Sequence, residues 1–317
     1  MTKATPIVLD CDPGHDDAMA ILLSVGSPKI NLLAVTTCFG NCSLEDATRN
    51  ARQILTLAKE INVPVGRGAS NPLSGETHLG NYVHGKSGLD GPEMPAPAFP
   101  EDPRDAVTLL KETILGHPEK VVVVATGPIT NVAKLLIEYP NVKSNIEKII
   151  LMGGSVDRGN HTPYAEFNTF ADPEALQVCI DSGLPIYMVG LNLTHQALAT
   201  TEVVEKMKNM SHEVGQVAAA WMGFFGNSYN KVWNFEAPPV HDPCTIAALI
   251  DPDLITWQKS FVVVETKGEW TRGATSVDLF KRWPDKEPNV FVAMKLDASR
   301  YWDLVLESVE NVGQNRK

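Results

Sequence analysis

The chain has 317 residues, with 38 acidic against 27 basic side chains and a net charge of -11. An acidic surface repels phosphate backbones, which argues against nucleic-acid and anionic-membrane partners. No apolar run approaches the length of a membrane span, and residues 1–6 carry no apolar signal segment.

Residues 6–9 form a short apolar run that reads as a buried strand, Pro13-Gly14 as a tight turn, and residues 18–23 as the helix after it. Residues 30–37 read as a strand, 43–60 as an amphipathic helix capped by Ser43, and 63–65 as a short strand. Residues 66–103 are rich in Gly and Pro and read as a long loop holding His84-Gly85-Lys86-Ser87-Gly88. Loops of that length inside a domain commonly act as lids or binding loops. A helix (105–115), a buried strand (120–125), a helix (129–137) and a strand (149–152) follow. A polar loop (159–168), a helix from about Asp172 and a strand (186–190) come next. Helices dominate residues 201–250, strands return at 261–265 and 289–295, and a last helix runs from about Trp302. This alternation predicts an α/β fold: an open, mostly parallel sheet flanked by helices, in a single large domain over residues 1–317, with the site at the carboxyl ends of the strands. Five scattered cysteines (Cys11, Cys38, Cys42, Cys179, Cys244) have neither redox nor zinc spacing, so reduced thiols in a cytoplasmic protein are expected.

Asp10, Asp12, Asp16 and Asp17 fall within eight residues at the first strand-to-helix turn. Two unit charges about 4 Å apart repel by roughly 4 kcal/mol at an effective dielectric of 20. A fold that crowds carboxylates this way protonates one or supplies a cation. Taken singly, Asp16 or Asp17 fits a helix cap, and Asp10 fits hydrogen bonds to turn amides. Taken together they outnumber the caps available, and oxygen donors select Ca²⁺ or Mg²⁺ over zinc. Asn41 follows a glycine and reads as a plain turn or a polar contact. Residues 126–131 read as a helix start with Pro128 at its first position, although the Thr126 carbonyl suits a hard cation. Glu166 and Asn168, if extended, project to one side with Phe167 opposite, and with Asn160 they suit hydroxyl groups. Alone, His241-Asp242-Pro243 reads as a helix cap and His84 as a surface residue.

These segments together resemble the inosine-uridine preferring nucleoside hydrolases, calcium-dependent enzymes that cleave the N-glycosidic bond of ribonucleosides. The matching motifs, in order, are D-x-D-P-G-x-D-D-A (residues 10–18), T-x-x-G-N (37–41), H-G-x-x-G (84–88), T-G-P-x-T-N (126–131), G-N-x-x-x-x-A-E-F-N (159–168) and H-D-P (241–243). The resemblance implies Ca²⁺ held by Asp12, Asp17, the Thr126 main-chain carbonyl and Asp242. It makes Asp12 the base that deprotonates a Ca-bound water attacking the sugar with inversion. Asp16, Asn41, Asn160, Glu166 and Asn168 then grip the ribose, with His84 and Asp242 also counted among the substrate contacts. His241, a histidine poised near neutrality, would assist departure of the base. The resemblance also implies nucleoside salvage, a ribonucleoside substrate and a homo-oligomer, dimer or tetramer. His15 stands where a small or apolar residue is expected. Phe225, Tyr229 and Trp233 lie four apart on one helix face, and either stack on the base or pack in the core. Two other readings compete: a Mg-dependent haloacid-dehalogenase-type phosphatase with Asp10 as nucleophile, and a non-catalytic nucleoside-binding protein.

Overall fold

The computed structural model describes residues 3–315; residues 1, 2, 316 and 317 of the expected domain, including the start of the segment read as lacking a leader, lie outside the described residues. Nine strands form one sheet: β1 (Thr5–Cys11), β2 (Ile30–Thr37), β3 (Val65–Arg67), β4 (Val121–Ala125), β5 (Ile146–Met152), β6 (Ile186–Val189), β7 (Ile255–Val264), β8 (Thr275–Asp278) and β9 (Val290–Leu296). Their order is β3-β2-β1-β4-β5-β6-β9-β7-β8. Pairing is parallel from β3 through β9, and β7 runs antiparallel to both β9 and β8.

The parallel strands read as unbroken apolar runs because both faces are covered. Ile7 and Leu9 of β1 pack into one buried apolar cluster with the helices His15–Gly26 and Glu213–Trp233, while Val8 packs into a second cluster on the opposite face. From β1 the chain proceeds outward to β2 and β3, then returns to place β4 on the other side of β1. The order of strands therefore reverses between β1 and β4. In open α/β sheets the ligand crevice opens at such a reversal, beyond the carboxyl ends of the strands.

Several elements depart from the sequence reading. The segment expected as loop contains a short helix, Asn81–His84. The antiparallel strand β7 starts at Ile255, earlier than read, because Thr256, Gln258 and Lys259 are polar and interrupt any apolar run there. β8 escaped notice because an edge strand needs no apolar run. The last helix begins at Ala298, where the Asp297 carboxylate accepts from Arg300 N at 3.2 Å. Its apolar pattern starts only later. Among the described residues no helix is long and apolar enough to cross a membrane.

Candidate active site

The turn after β1 leads into the helix His15–Gly26 through Gly14 at its N-cap. Asp17, in the first turn, accepts from Gly14 N at 3.0 Å and Asp12 N at 3.4 Å, satisfying amides that a helix start leaves free. It also accepts from Asn41 Nδ2 at 3.0 Å and Thr126 Oγ1 at 2.7 Å. Asp17 thus caps its helix and at the same time ties β1, β2 and β4 together at their carboxyl ends. Asp12 accepts from Asn41 N at 2.7 Å through Oδ2. Glycines make room for this carboxylate: a Cβ at Gly127 would stand 2.6 Å from Asp12 Oδ1, and one at Gly40 would collide with Oδ2.

Asp10 behaves differently from the other three. It lies within β1, buried, and its Oδ1 accepts from Thr36 Oγ1 at 2.6 Å and Asn131 Nδ2 at 2.8 Å. The turn amides go to Asp17 instead, so the expected amide contacts of Asp10 are not formed. Burial pushes its carboxyl up to about 7. Like Asp12 and Asp17, it does not line the cleft, where Asp16 and Asp242 do.

Oxygens of Asp16, Asp17 and Asp242 lie within 4.8 Å of one another, all three side chains being buried. Asp242 stands at the N-cap of the helix Pro243–Ile250 but makes no capping hydrogen bond, contrary to its plain reading. Its carboxyl turns toward Asp16 and Asp17. Burial first, then these neighbouring charges, hold Asp242 well above the ordinary carboxylate range and Asp16 at about 8. Asp12 is likewise raised by burial and by Asp17. Asp12 Oδ1 and Asp16 Oδ1 are buried with no hydrogen-bond partner. An all-carboxylate donor set with unpartnered oxygens fits a hard divalent cation, which removes the cost of crowding the charges. The tight trio contains Asp16 rather than Asp12, so the grouping differs from the ligand set implied by resemblance. The Thr126 carbonyl lies beside it, accepting from Asn168 Nδ2 at 2.7 Å.

A narrow cleft opens above this cluster, lined by Asp16, Asn41, His84, Glu166, Tyr229 and Asp242. Glu166 is the N-cap of the helix Phe167–Ala171 and accepts from Gly154 N at 3.0 Å, Asn168 N at 2.9 Å and Thr169 N at 3.1 Å. Residues 166–168 are therefore not extended, yet a cap and a first-turn residue still reach the same wall. Burial pushes Glu166 up to about 7. Asn160 Oδ1 accepts from Phe167 N at 2.9 Å and joins that wall. Asn41 lines the cleft near its floor.

His84 is buried rather than on the surface, and its Nδ1 accepts from His15 N at 3.2 Å. His15 is fully enclosed, stacked between His84 and Phe224, and donates from Nε2 to Asp90 O at 2.8 Å. A large polar residue is accommodated there because it ties the 84–90 loop to the first helix. His241 lies between Tyr229 Oη, 2.5 Å from Nε2, and Thr194 Oγ1, 2.7 Å from Nδ1. Burial holds its pKa well below the ordinary value. Burial thus favours the uncharged form of the ring. Phe225, Tyr229 and Trp233 all line the cleft while packing on the core. Tyr82 and Thr194 were not legible: Tyr82 is half exposed at the cleft mouth, and no motif marks Thr194. All five cysteines are free and buried.

The chain matches the sequence profile described as inosine-uridine preferring nucleoside hydrolase over residues 7–303. It is 43% identical over 307 residues to the pyrimidine-specific ribonucleoside hydrolase RihA of Photobacterium profundum, covering 96% of this chain and 99% of that one. It is 42% identical over 308 residues to RihA of Escherichia coli (strain SE11), covering 97% and 99%. Among solved structures, the purine-preferring ribonucleoside hydrolase from Gardnerella vaginalis superposes with a TM-score of 0.91 at 29% identity, covering 98% of this chain and 100% of that one. The plant nucleoside hydrolase PpNRh1 gives 0.89 at 31% identity, covering 96% and 99%. The phosphatase reading gains nothing from these matches, and the Oδ1 of its nucleophile, Asp10, is committed to Thr36 and Asn131 within the sheet. The chain belongs to the inosine-uridine preferring nucleoside hydrolase family and is an enzyme that hydrolyses the N-glycosidic bond of ribonucleosides.

Proposed function

We propose that this enzyme acts on pyrimidine ribonucleosides, releasing free base and ribose with Ca²⁺ as its cation. The base preference is supported by the two RihA relatives, which are named pyrimidine-specific. The observation that carries the metal reading is the buried cluster of Asp16, Asp17 and Asp242, together with the unpartnered, buried oxygens Asp16 Oδ1 and Asp12 Oδ1. Asp12, Asp17, Asp242 and the Thr126 carbonyl would hold the ion, with Asp16 beside it. When bound, Ca²⁺ supplies positive charge that offsets the carboxylates, engages vicinal sugar hydroxyls and makes a nearby water more acidic.

The residues of the chain do the rest. Asp12 Oδ1 has no competing hydrogen bond and accepts the proton of the attacking water. Asp16, Asn41, Asn160, Glu166 and Asn168 hold the ribose hydroxyls and fix the attack geometry. Cleavage builds positive charge on the sugar ring, and buried carboxylates beside it stabilise that charge. His84, whose Nδ1 lies 3.2 Å from both the His15 amide and His15 Nδ1, forms part of the cleft wall. His241 assists departure of the base together with Tyr229. No serine or cysteine nucleophile is needed. Cytoplasmic salvage and a homo-oligomer complete the proposal: unpaired thiols support the first, and Trp270 and Phe280, 78% and 82% exposed near the edge strand β8, support the second.

A reducing-sugar assay across uridine, cytidine, inosine, adenosine and guanosine tests the reading, with chelator and with Ca²⁺ restored. Turnover is expected on uridine and cytidine above the purines, lost in chelator and regained with Ca²⁺. Faster purine turnover would overturn the base preference, and full activity in rigorously metal-free enzyme would overturn the cation.

A further inference from the structure

Thr194 ends the short helix Leu191–Thr194 that follows β6, outside every motif read from the sequence. It is fully buried, and among the described residues the only hydrogen-bond partner of its hydroxyl is His241 Nδ1, 2.7 Å away. On the other side of the ring, Tyr229 Oη stands 2.5 Å from Nε2, and the Tyr229 side chain lines the cleft.

With one hydrogen shared into each of the two contacts, at 2.7 Å and 2.5 Å, two proton arrangements are open. In the first, Nδ1–H donates to Thr194 and the Tyr229 hydroxyl donates to Nε2. The Thr194 hydrogen is then sealed in the core without an acceptor, a situation folded proteins avoid. In the second, Thr194 donates to Nδ1, Nε2–H donates to Tyr229 Oη, and the Tyr229 hydrogen turns into the cleft. Every buried group is satisfied in the second arrangement alone, because only there does the unpaired hydrogen face the ligand.

We propose that Thr194 is a positioning residue: its hydroxyl fixes His241 as the Nε2–H tautomer, so that the Tyr229 hydroxyl faces the cleft as a hydrogen-bond donor to the departing base. As the N-glycosidic bond breaks, its electron pair passes to the base nitrogen. The negative charge growing on the base is met by Tyr229 O–H, itself polarised by the His241 N–H behind it. This rests on the proposed role of His241 in base departure, and deepens it.

The test compares Thr194→Val, Thr194→Ser and His241→Ala on uridine and on 4-nitrophenyl riboside, whose leaving group needs no such donor. Thr194→Val is expected to lose about tenfold in kcat on uridine, the effect of one hydrogen bond, with KM within about twofold and little loss on the nitrophenyl riboside. Thr194→Ser keeps the hydroxyl and should restore uridine turnover to within about threefold of the parent enzyme. Equal losses on both substrates, no loss on either, or a serine variant as poor as the valine one would each overturn the assignment. His241→Ala separates the two levels. A selective loss there with none in Thr194→Val removes Thr194 alone, whereas equal losses in His241→Ala remove the reading of His241 as well. Should the valine variant not fold, the ¹⁵N shifts of His241 in the parent enzyme decide directly: a proton on Nε2 is expected, and one on Nδ1 would overturn the proposal.

Discussion

Replacing Asp242 by Asn should make the cation-free protein more stable and the cation-loaded protein less so. Oxygens of Asp16, Asp17 and Asp242 lie within 4.8 Å of one another, and the Asp242 side chain makes no capping hydrogen bond that the change would forfeit. At an effective dielectric of 20, each ionised pair at that separation costs about 3.5 kcal/mol. The protein lowers this by holding protons on the cluster, so the net relief on removing one carboxylate is about 2–3 kcal/mol. In chelator at neutral pH, Asp242→Asn should therefore melt several degrees above the parent protein. With Ca²⁺ at about a thousand times its dissociation constant, the parent gains roughly 4 kcal/mol that a crippled site does not. The order of melting temperatures then reverses. Differential scanning calorimetry in the two solutions measures both numbers. A variant that melts lower by the same amount in each would show that Asp242 holds the fold by its own bonds, and the reasoning from crowded charge would be wrong.

Other outcomes follow from the same geometry. Asp12→Asn should cut turnover by about a thousandfold while Ca²⁺ still raises the melting temperature; near-normal turnover would rule out the base role. In chelator, stability should fall as pH rises from about 4 to about 8. Asp16, raised to about 8, keeps a proton in the folded state that the unfolded chain has already released across that window. Stability rising with pH in chelator would contradict this, and Ca²⁺ should flatten the slope by displacing the proton. Tyr82 brings its hydroxyl 3.4 Å from His161 Nδ1 and its ring 6.2 Å from that of Trp233, spanning the mouth of the cleft. Tyr82→Ala should raise KM for uridine severalfold with kcat nearly unchanged, and a fall in kcat alone would place Tyr82 in the chemistry instead.

The sheet was legible because parallel strands covered on both faces read as apolar runs, and the turns after β1, β4 and β5 announced themselves with glycine beside polar residues. Tertiary placement was not legible. Asp10 and Asp12 are the same residue type two positions apart, yet one is enclosed by Thr36 and Asn131 within the sheet and the other lies past the end of β1. Nothing local distinguishes them. Asp16 gave no sign that it would join Asp17 and Asp242, because that depends on how the segment 241–243 returns to the first turn. Thr194 and His241 are 47 residues apart, and only the end of β6 brings them together. The burial of His241, which lowers its pKa, is not reported by a sequence pattern for a single residue. Glu166 and Asn168 reach the cleft by a helix cap rather than by strand alternation, a local geometry that the pattern of residues 166–168 does not announce.

A crystal structure of the enzyme with Ca²⁺ and ribose tests the cation site most directly. One ion bridging Asp12, Asp17 and Asp242, in contact with the sugar's vicinal hydroxyls, is the expected density. No ion at the turn after β1, or ribose lodged away from it, would contradict the account.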